Sequence, residues 1–277
     1  MEYAHSLTQI RTNGPFSVGG QVNEVYHNEV TGEKKLFIVG LQFFTDVNNA
    51  ITFLYPERFN TRDLDKRAIL ATTNEACDEW NSIIQEMNPN PEKLLLSANE
   101  LEDVDDPHQY LQGILNQDSL AYYQKVGVPL HELKLKVGDI CFLLRTVSKK
   151  DHLSRNTRVR IVKISTYKIQ VQTLDESPKT HHISRIRFRI THLSGYTLIR
   201  TQFPFGLAYA MTKNKSQGQS LQWMLNDVRK DAFSSGQEFV ADSRPVDVDH
   251  AALFADESQV ENGRVLFTNV VYPELLE

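Results

Sequence analysis

The chain has 277 residues, 40% hydrophobic and 23% charged, enough apolar material for a sizeable core, which excludes whole-chain disorder. No run approaches the roughly eighteen apolar residues of a membrane helix, and the start Met1-Glu2-Tyr3-Ala4-His5-Ser6 has no secretory signal character. The net charge of −5 hides an asymmetry: −10 over residues 1–130, +12 over 131–215 and −7 over 216–277. A basic middle between acidic flanks attracts a polyanion, or else is a solvated basic face. Cys77 and Cys141 form neither a disulfide framework nor a zinc knuckle, so an intracellular location is expected.

In chain order, residues 1–35 carry Asn13-Gly14-Pro15 and Gly19-Gly20 and read as loop. Residues 36–55 read as a strand, then a helix starting near Asp46. Arg67 leads into Ala68-Ile-Leu-Ala-Thr72, a run of buried-strand length. Asn74 is the expected N-cap of a helix with Trp80, Ile83, Ile84 and Met87 on one face, stopped by Asn88-Pro89-Asn90-Pro91. A strand–turn–helix unit of this kind belongs to parallel α/β sheets. Residues 92–130 read as irregular, with Glu100–Asp106 a solvated acidic run.

From 133 to 193 the pattern becomes β-rich. Arg158–Ile164, Lys168–Gln172 and His182–Ile190 alternate with period two and predict a small barrel or sandwich. The alternation puts Arg158 and Arg160, and separately Arg185, Arg187 and Arg189, on polar strand faces. Such faces follow a phosphate backbone or simply meet water. The α/β style returns at 203–225. Residues 236–244 read as a helix ending in arginine, 245–264 as acidic loop and 265–272 as a closing strand. The expected organisation is an α/β domain of 50–130 and 200–277, interrupted by an all-β insert at 131–199 and preceded by a poorly defined segment, 1–49.

None of the 13 glycines is followed by lysine, so the chain has no phosphate loop. Neither Asp78-Glu79 nor Asp175-Glu176 ends a buried apolar strand, as a Mg²⁺-holding motif would. His181-His182 lies in an alternating strand, which points the two rings to opposite faces. Three segments do carry chemistry. Thr212-x-x-Lys215-Ser216-Gln217-Gly218 is a strand-to-helix turn with small hydroxyls, a cation and a glycine, suited to phosphate. Arg244 closes Val240-Ala-Asp-Ser-Arg, where an arginine reaches a γ-phosphate or a surface ion-pair partner. Thr72-Thr73-Asn74 puts polar groups at a strand top, where a helix cap is also needed.

Together these segments resemble the petite-integration-frequency (PIF-type) DNA helicases and the helicase half of Helitron transposon proteins, superfamily-one motors of 5′-to-3′ polarity. Arg67–Glu75 and Asp78-Glu-Trp-Asn81 look like the family's fourth motif and its helix. Gly127–Gly138 and Leu143-Leu-Arg145 look like the start of its inserted barrel. Ala208–Ser220 resembles the fifth motif, Gly236–Arg244 the sixth and Asn269–Tyr272 the tail. The resemblance implies a second RecA-like domain interrupted by a Src-homology-like barrel. It implies that Thr212, Asn214, Lys215 and Ser216, with Thr73 and Asn74, contact single-stranded DNA. Gln217 and Gly218 would face the nucleotide, and Arg67 and Arg244 the γ-phosphate, Arg244 as the catalytic arginine. ATP and Mg²⁺ would need a first RecA-like domain supplied elsewhere, on a partner chain for example, so this chain alone is expected neither to hydrolyse ATP nor to unwind duplex. The family also implies a nuclear role in genome maintenance or transposition. A non-enzymatic nucleic-acid-binding module and an inactive remnant are the alternatives. Asp242 departs from the family, which usually has an apolar residue there, and a buried carboxylate needs a partner.

Overall fold

A computed structural model describes residues 24–27, 34–37, 41–57, 63–102, 121–174, 177–191, 197–234, 237–242 and 244–267. Strands β1 (Glu24–His27), β2 (Lys34–Phe37) and β3 (Gln42–Phe44) come first. Helix α1 (Val47–Leu54) is capped by Asp46, whose carboxylate accepts from the Asn49 N–H at 2.9 Å. Next come β4 (Arg67–Ala71), buried at every position, and α2 (Asn74–Glu86). Then follow β5 (Lys93–Leu96), β6 (Ala98–Leu101), β7 (Glu132–Leu135), β8 (Ile140–Leu143) and β9 (Arg158–Ile164). Strands β10 (Lys168–Thr173), β11 (Thr180–Ser184), β12 (Ile186–Thr191), β13 (Thr197–Gln202) and β14 (Phe205–Leu207) continue the β-rich region. The described elements close with β15 (Ala210–Thr212), β16 (Trp223–Asp227), α3 (Gln237–Asp242), β17 (Ala251–Phe254), β18 (Val260–Glu261) and β19 (Arg264–Phe267).

Contacts divide the chain into a unit of residues 1–87 and 209–277 and a second of residues 88–208. The first is built on a five-stranded parallel sheet of order β15-β4-β16-β17-β3. Helix α2 packs on β4 and β15 and buries Cys77, Trp80 and Ile84, while Ile83 and Met87 are half-buried. Its cap is Thr73, not Asn74: Thr73 is extended and its Oγ1 accepts from the Ala76 N–H at 3.3 Å. Asn81, on the face the apolar pattern defines, fastens α2 to the start of β15. Its Oδ1 accepts from the N–H groups of Tyr209 and Ala210, both at 2.9 Å, and its Nδ2 donates to the Ala210 carbonyl.

Three loop expectations fail for one reason: short strands gain their hydrogen bonds from distant partners. Glu24–His27 and Lys34–Phe37, read partly as loop, pair with each other, and β2 also pairs with β19. The acidic loop 245–264 contains β17, wholly buried between β16 and β3. Its four apolar residues are masked in sequence by flanking Asp247, Asp249, Asp256 and Glu257. The irregular stretch 92–130 contains β5 and β6, paired with β7 and β13. Residues 268–272 of the expected closing strand lie outside the described residues.

The second unit is antiparallel. A five-stranded sheet, β11-β10-β9-β8-β14, shares its core with the β5–β7 pair through Leu95, Leu135, Val159, Ile169 and Phe203. A third sheet has the order β12-β13-β6. Arg187 and Arg189 do point outward from β12, but they pair with Glu100 and Glu102, so the acidic run answers the arginines instead of meeting only water. Among the described residues the protein is thus α/β, with one parallel sheet and separate antiparallel sheets, and its α/β class with a β-rich insert is as the pattern predicts.

Candidate functional site

The candidate residues all lie in the first unit: Thr73, Asn74 and Thr212 at the carboxyl edge of its parallel sheet, Arg67 and Arg244 at the amino edge, and Asn214–Gly218 in the connection that follows β15. Thr212 aligns with Ala71 at the carboxyl ends of β15 and β4. Thr73 and Asn74, which follow β4, therefore meet Thr212 at one edge. In open α/β sheets this is the edge where ligands bind. Arg67 opens β4 and aligns with Trp223, which opens β16. At about 3.3 Å per residue, Arg67 and Thr73 are roughly 20 Å apart. Arg244 joins Arg67 at the amino edge. Its carbonyl accepts from the N–H of Leu221, just before β16, at 3.1 Å, and Leu221 bridges Pro245.

The chain between Thr212 and Trp223 spans the two edges. Lys213–Ser216 form a short 3-10 turn in place of the expected helix. Asn214 and Lys215 are exposed. Ser216 is buried, and its Oγ donates to the Lys213 carbonyl at 2.7 Å, so its hydroxyl faces into the turn. Gln217 has φ −55° and ψ 126°, Gly218 has φ +80°, and the Gln219 N–H donates to the Ser216 carbonyl at 2.9 Å. These are the marks of a type II turn, which requires a positive φ at its third position, met here by glycine. Gln217 and Gly218 are exposed there, next to Gln219, whose carbonyl accepts from Arg244 Nη1 at 3.4 Å.

The Lys215 ammonium acts on the second turn of α2. Burial pushes the Cys77 thiol up to about 12, local desolvation raises the carboxyl of the exposed Asp78, and Lys215 opposes both shifts. Asp78 is one helical turn beyond Asn74, so the two share a face of α2.

The two arginines are held differently. Arg67 is buried, donates to the Leu54 carbonyl at the end of α1 at 2.7 Å, and lies 4.7 Å above the Trp223 ring. Desolvation lowers its pKa. His250 stacks on Trp223 at 3.9 Å between centroids. Arg244 is half-buried and donates Nε to the Val240 carbonyl at 2.8 Å, closing α3.

Sequence reasoning missed several residues. Lys213 is fully buried and ion-paired with Glu238. Asn226 donates to Glu238 at 3.1 Å and to Asp242 at 3.4 Å, so Asp242 is half-buried and has the partner it needs. A lysine and a glutamate in polar stretches carry no sign of burial. A cleft of about 260 Å³ lies at the carboxyl ends of β4, β16 and β17, lined by Thr72, Glu79, Asp227, Arg229, Lys230 and Asp256 among others. Arg229 is clamped by Asp227 at 2.8 Å and Glu79 at 3.2 Å, which raises its pKa. Among the described residues no cluster of acidic, histidine or cysteine side chains is placed to hold a metal.

No family model matches the chain, and no curated protein matches it. Among solved structures it is similar to the Pif1 helicase of Candida albicans, with a TM-score of 0.57 and 19% identity, over 83% of this chain and 53% of that one. It is also similar to a Bacteroides Pif1 helicase in complex with ADP-AlF3 and single-stranded DNA, with a TM-score of 0.50 and 17% identity, over 74% of this chain and 44% of that one. A structure of two coordinating Pif1 helicases at forked duplex DNA gives a TM-score of 0.50 and 16% identity, over 75% and 43%. The chain spans about half the length of these helicases. Its fold is that of the matched portion of a PIF-type helicase, with a RecA-like parallel sheet.

Proposed function

We propose that this chain is the second RecA-like portion, with its β insert, of a 5′-to-3′ DNA helicase of PIF or Helitron type. Thr73, Asn74, Thr212, Asn214 and Lys215 line the carboxyl edge of the sheet and hold the phosphate backbone of single-stranded DNA, with Ser216 bracing the turn from inside. Gln217, Gly218 and Arg244 face a nucleotide at the amino edge. The observation that carries the reading is this partition: Thr212 ends its strand at the carboxyl edge, Arg244 sits at the amino edge of the same sheet, and the segment that follows Thr212 is tied to Arg244 through Gln219.

The chemistry at each edge follows. Lys215 neutralises a phosphate and releases counterions. ATP, when bound with Mg²⁺ by a first RecA-like domain, supplies the γ-phosphate. Arg244, whose Nη1 donates to the Gln219 carbonyl at 3.4 Å, would be the residue to meet charge on that phosphate. Arg67 fits that role less directly, because its guanidinium is engaged by Leu54 and Trp223, and it serves first to hold the amino edge together. A Gly-Lys phosphate loop occurs nowhere in the sequence, so turnover requires the other domain, on a partner chain or a longer polypeptide. The setting is nuclear DNA maintenance or transposition.

The test is fluorescence anisotropy of the purified chain with labelled oligo-dT, beside an ATPase assay. Binding that weakens steeply with salt, without ATP turnover, is the expected result. Robust DNA-stimulated hydrolysis by the chain alone, or no oligonucleotide binding at low salt, refutes it. In the non-enzymatic reading, the basic β insert and the Thr212–Gly218 turn together hold single-stranded DNA or RNA without ATP; its β-insert part is weakened because Arg187 and Arg189 already pair with Glu100 and Glu102.

A further inference from the structure

Lys213 and Glu238 have no part in that reading, yet both are sealed from solvent, at 0% and 2% exposure. Lys213 directly follows Thr212 on the strand-binding side. Glu238 lies in the first turn of α3, which packs against the 3-10 turn. The two side chains form an ion pair. Asn226 donates to Glu238 and to Asp242 farther along the same helix, at 3.1 and 3.4 Å. Just beyond α3, Arg244 donates Nε to Val240 and Nη1 to Gln219. The segment 213–219 is therefore tied to α3 and its Arg244 at both ends, by Lys213–Glu238 and by Gln219–Arg244.

Stability alone does not account for this arrangement, since apolar residues of similar volume often serve a buried site as well as an ion pair. A charge pair adds directionality, because it holds only in one register. The network is also incompletely satisfied. Asn226 Oδ1 and Gln237 Nε2 are buried without a hydrogen-bond partner among the described residues. Asn226 keeps an unused acceptor inside the network, and Gln237, the residue before Glu238, an unused donor, which leaves room for a second hydrogen-bonding arrangement of the kind a two-state link requires.

We propose that Lys213 and Glu238 are positioning residues that lock the 213–219 turn to α3, so that ordering the turn on a strand also orders Arg244. This rests on the strand-binding reading of the turn.

Hydrogen exchange on the intact chain tests it, with K213M, E238L and the K213M/E238L double variant. E238Q, which keeps the side-chain shape, replaces E238L if that variant does not fold. Each single variant should speed exchange at least tenfold in both 213–219 and 237–242, with β4 amides changing much less. The double variant, apolar against apolar, should bring both segments back toward wild type. Oligo-dT should protect 237–242 together with 213–219 in the wild type, and the single variants should lose the first effect.

The link is overturned if a single variant affects only its own segment, or accelerates β4 equally. It is also overturned if oligo-dT protects 213–219 and leaves 237–242 unchanged. If the wild type binds no oligo-dT, the proposed function fails, and the variant cycle without DNA decides the link by itself.

Discussion

Trp80, in the middle of α2, donates its indole N–H to the Asp227 carboxylate at the end of β16 at 2.8 Å. Asp227 in turn holds Arg229, whose guanidinium lies 4.9 Å from the Phe254 ring centroid and 5.6 Å from that of Trp80. One buried carboxylate thus fastens the helix to the sheet beneath the candidate strand-binding edge. Trp80→Phe removes one donor to a charged group and should cost about 1.5–3 kcal/mol. Asp227→Ala leaves both the indole and Arg229 short of a partner and should cost about 3–5 kcal/mol. Urea unfolding measures both, and equal losses would contradict this ordering.

Gly218 has φ +80°, and a Cβ built there would meet nothing within 4 Å. The cost of replacing it is therefore conformational, not steric. Gly218→Ala should destabilise by about 1 kcal/mol, and Gly218→Asn by less, because asparagine tolerates the left-handed region. Thermal melting of the two variants checks the order.

Local desolvation raises the carboxyl of Asp78, an exposed residue, above its ordinary value. The folded state therefore holds this proton more tightly than the unfolded chain, whose aspartates titrate near pH 3.9. That contribution is fully present below the unfolded pKa and is lost as pH rises through the folded one. Asp78→Asn should flatten this loss, gaining on wild type as pH rises from the unfolded value of about 3.9 upward through the folded one. Lys215 opposes the shift, so Lys215→Ala should steepen it. Urea midpoints across that range measure the slopes, and a slope unaltered in Asp78→Asn would contradict the assignment.

Lys215 is exposed at the carboxyl edge, whereas Arg187 is paired with Glu100 at 3.3 Å. Lys215→Ala should weaken oligo-dT binding about tenfold at low salt and reduce the salt slope by about 0.7, with stability within about 0.5 kcal/mol of wild type. Arg187→Ala should change affinity less than twofold. Anisotropy titrations at several salt concentrations decide between them, and the reverse order would move the binding site to the β insert.

Local pattern alone determined much of this protein. The apolar run Ala68–Ala71, the Trp80 and Ile84 face of α2, and the alternation of β9 to β12 signal their elements because each is repeated within a few neighbouring residues. The order of chemistry-bearing segments is likewise carried along the chain, so Thr212–Gly218 and Arg244 were legible as candidates. Only the tertiary structure decided which edge each reaches, since parallel register aligns residues far apart in sequence. It also decided that β17 is a core strand, that Ser216 faces inward, and that Lys213 is buried against Glu238. A side chain's burial and its partner depend on what folds over it, and that information is not local.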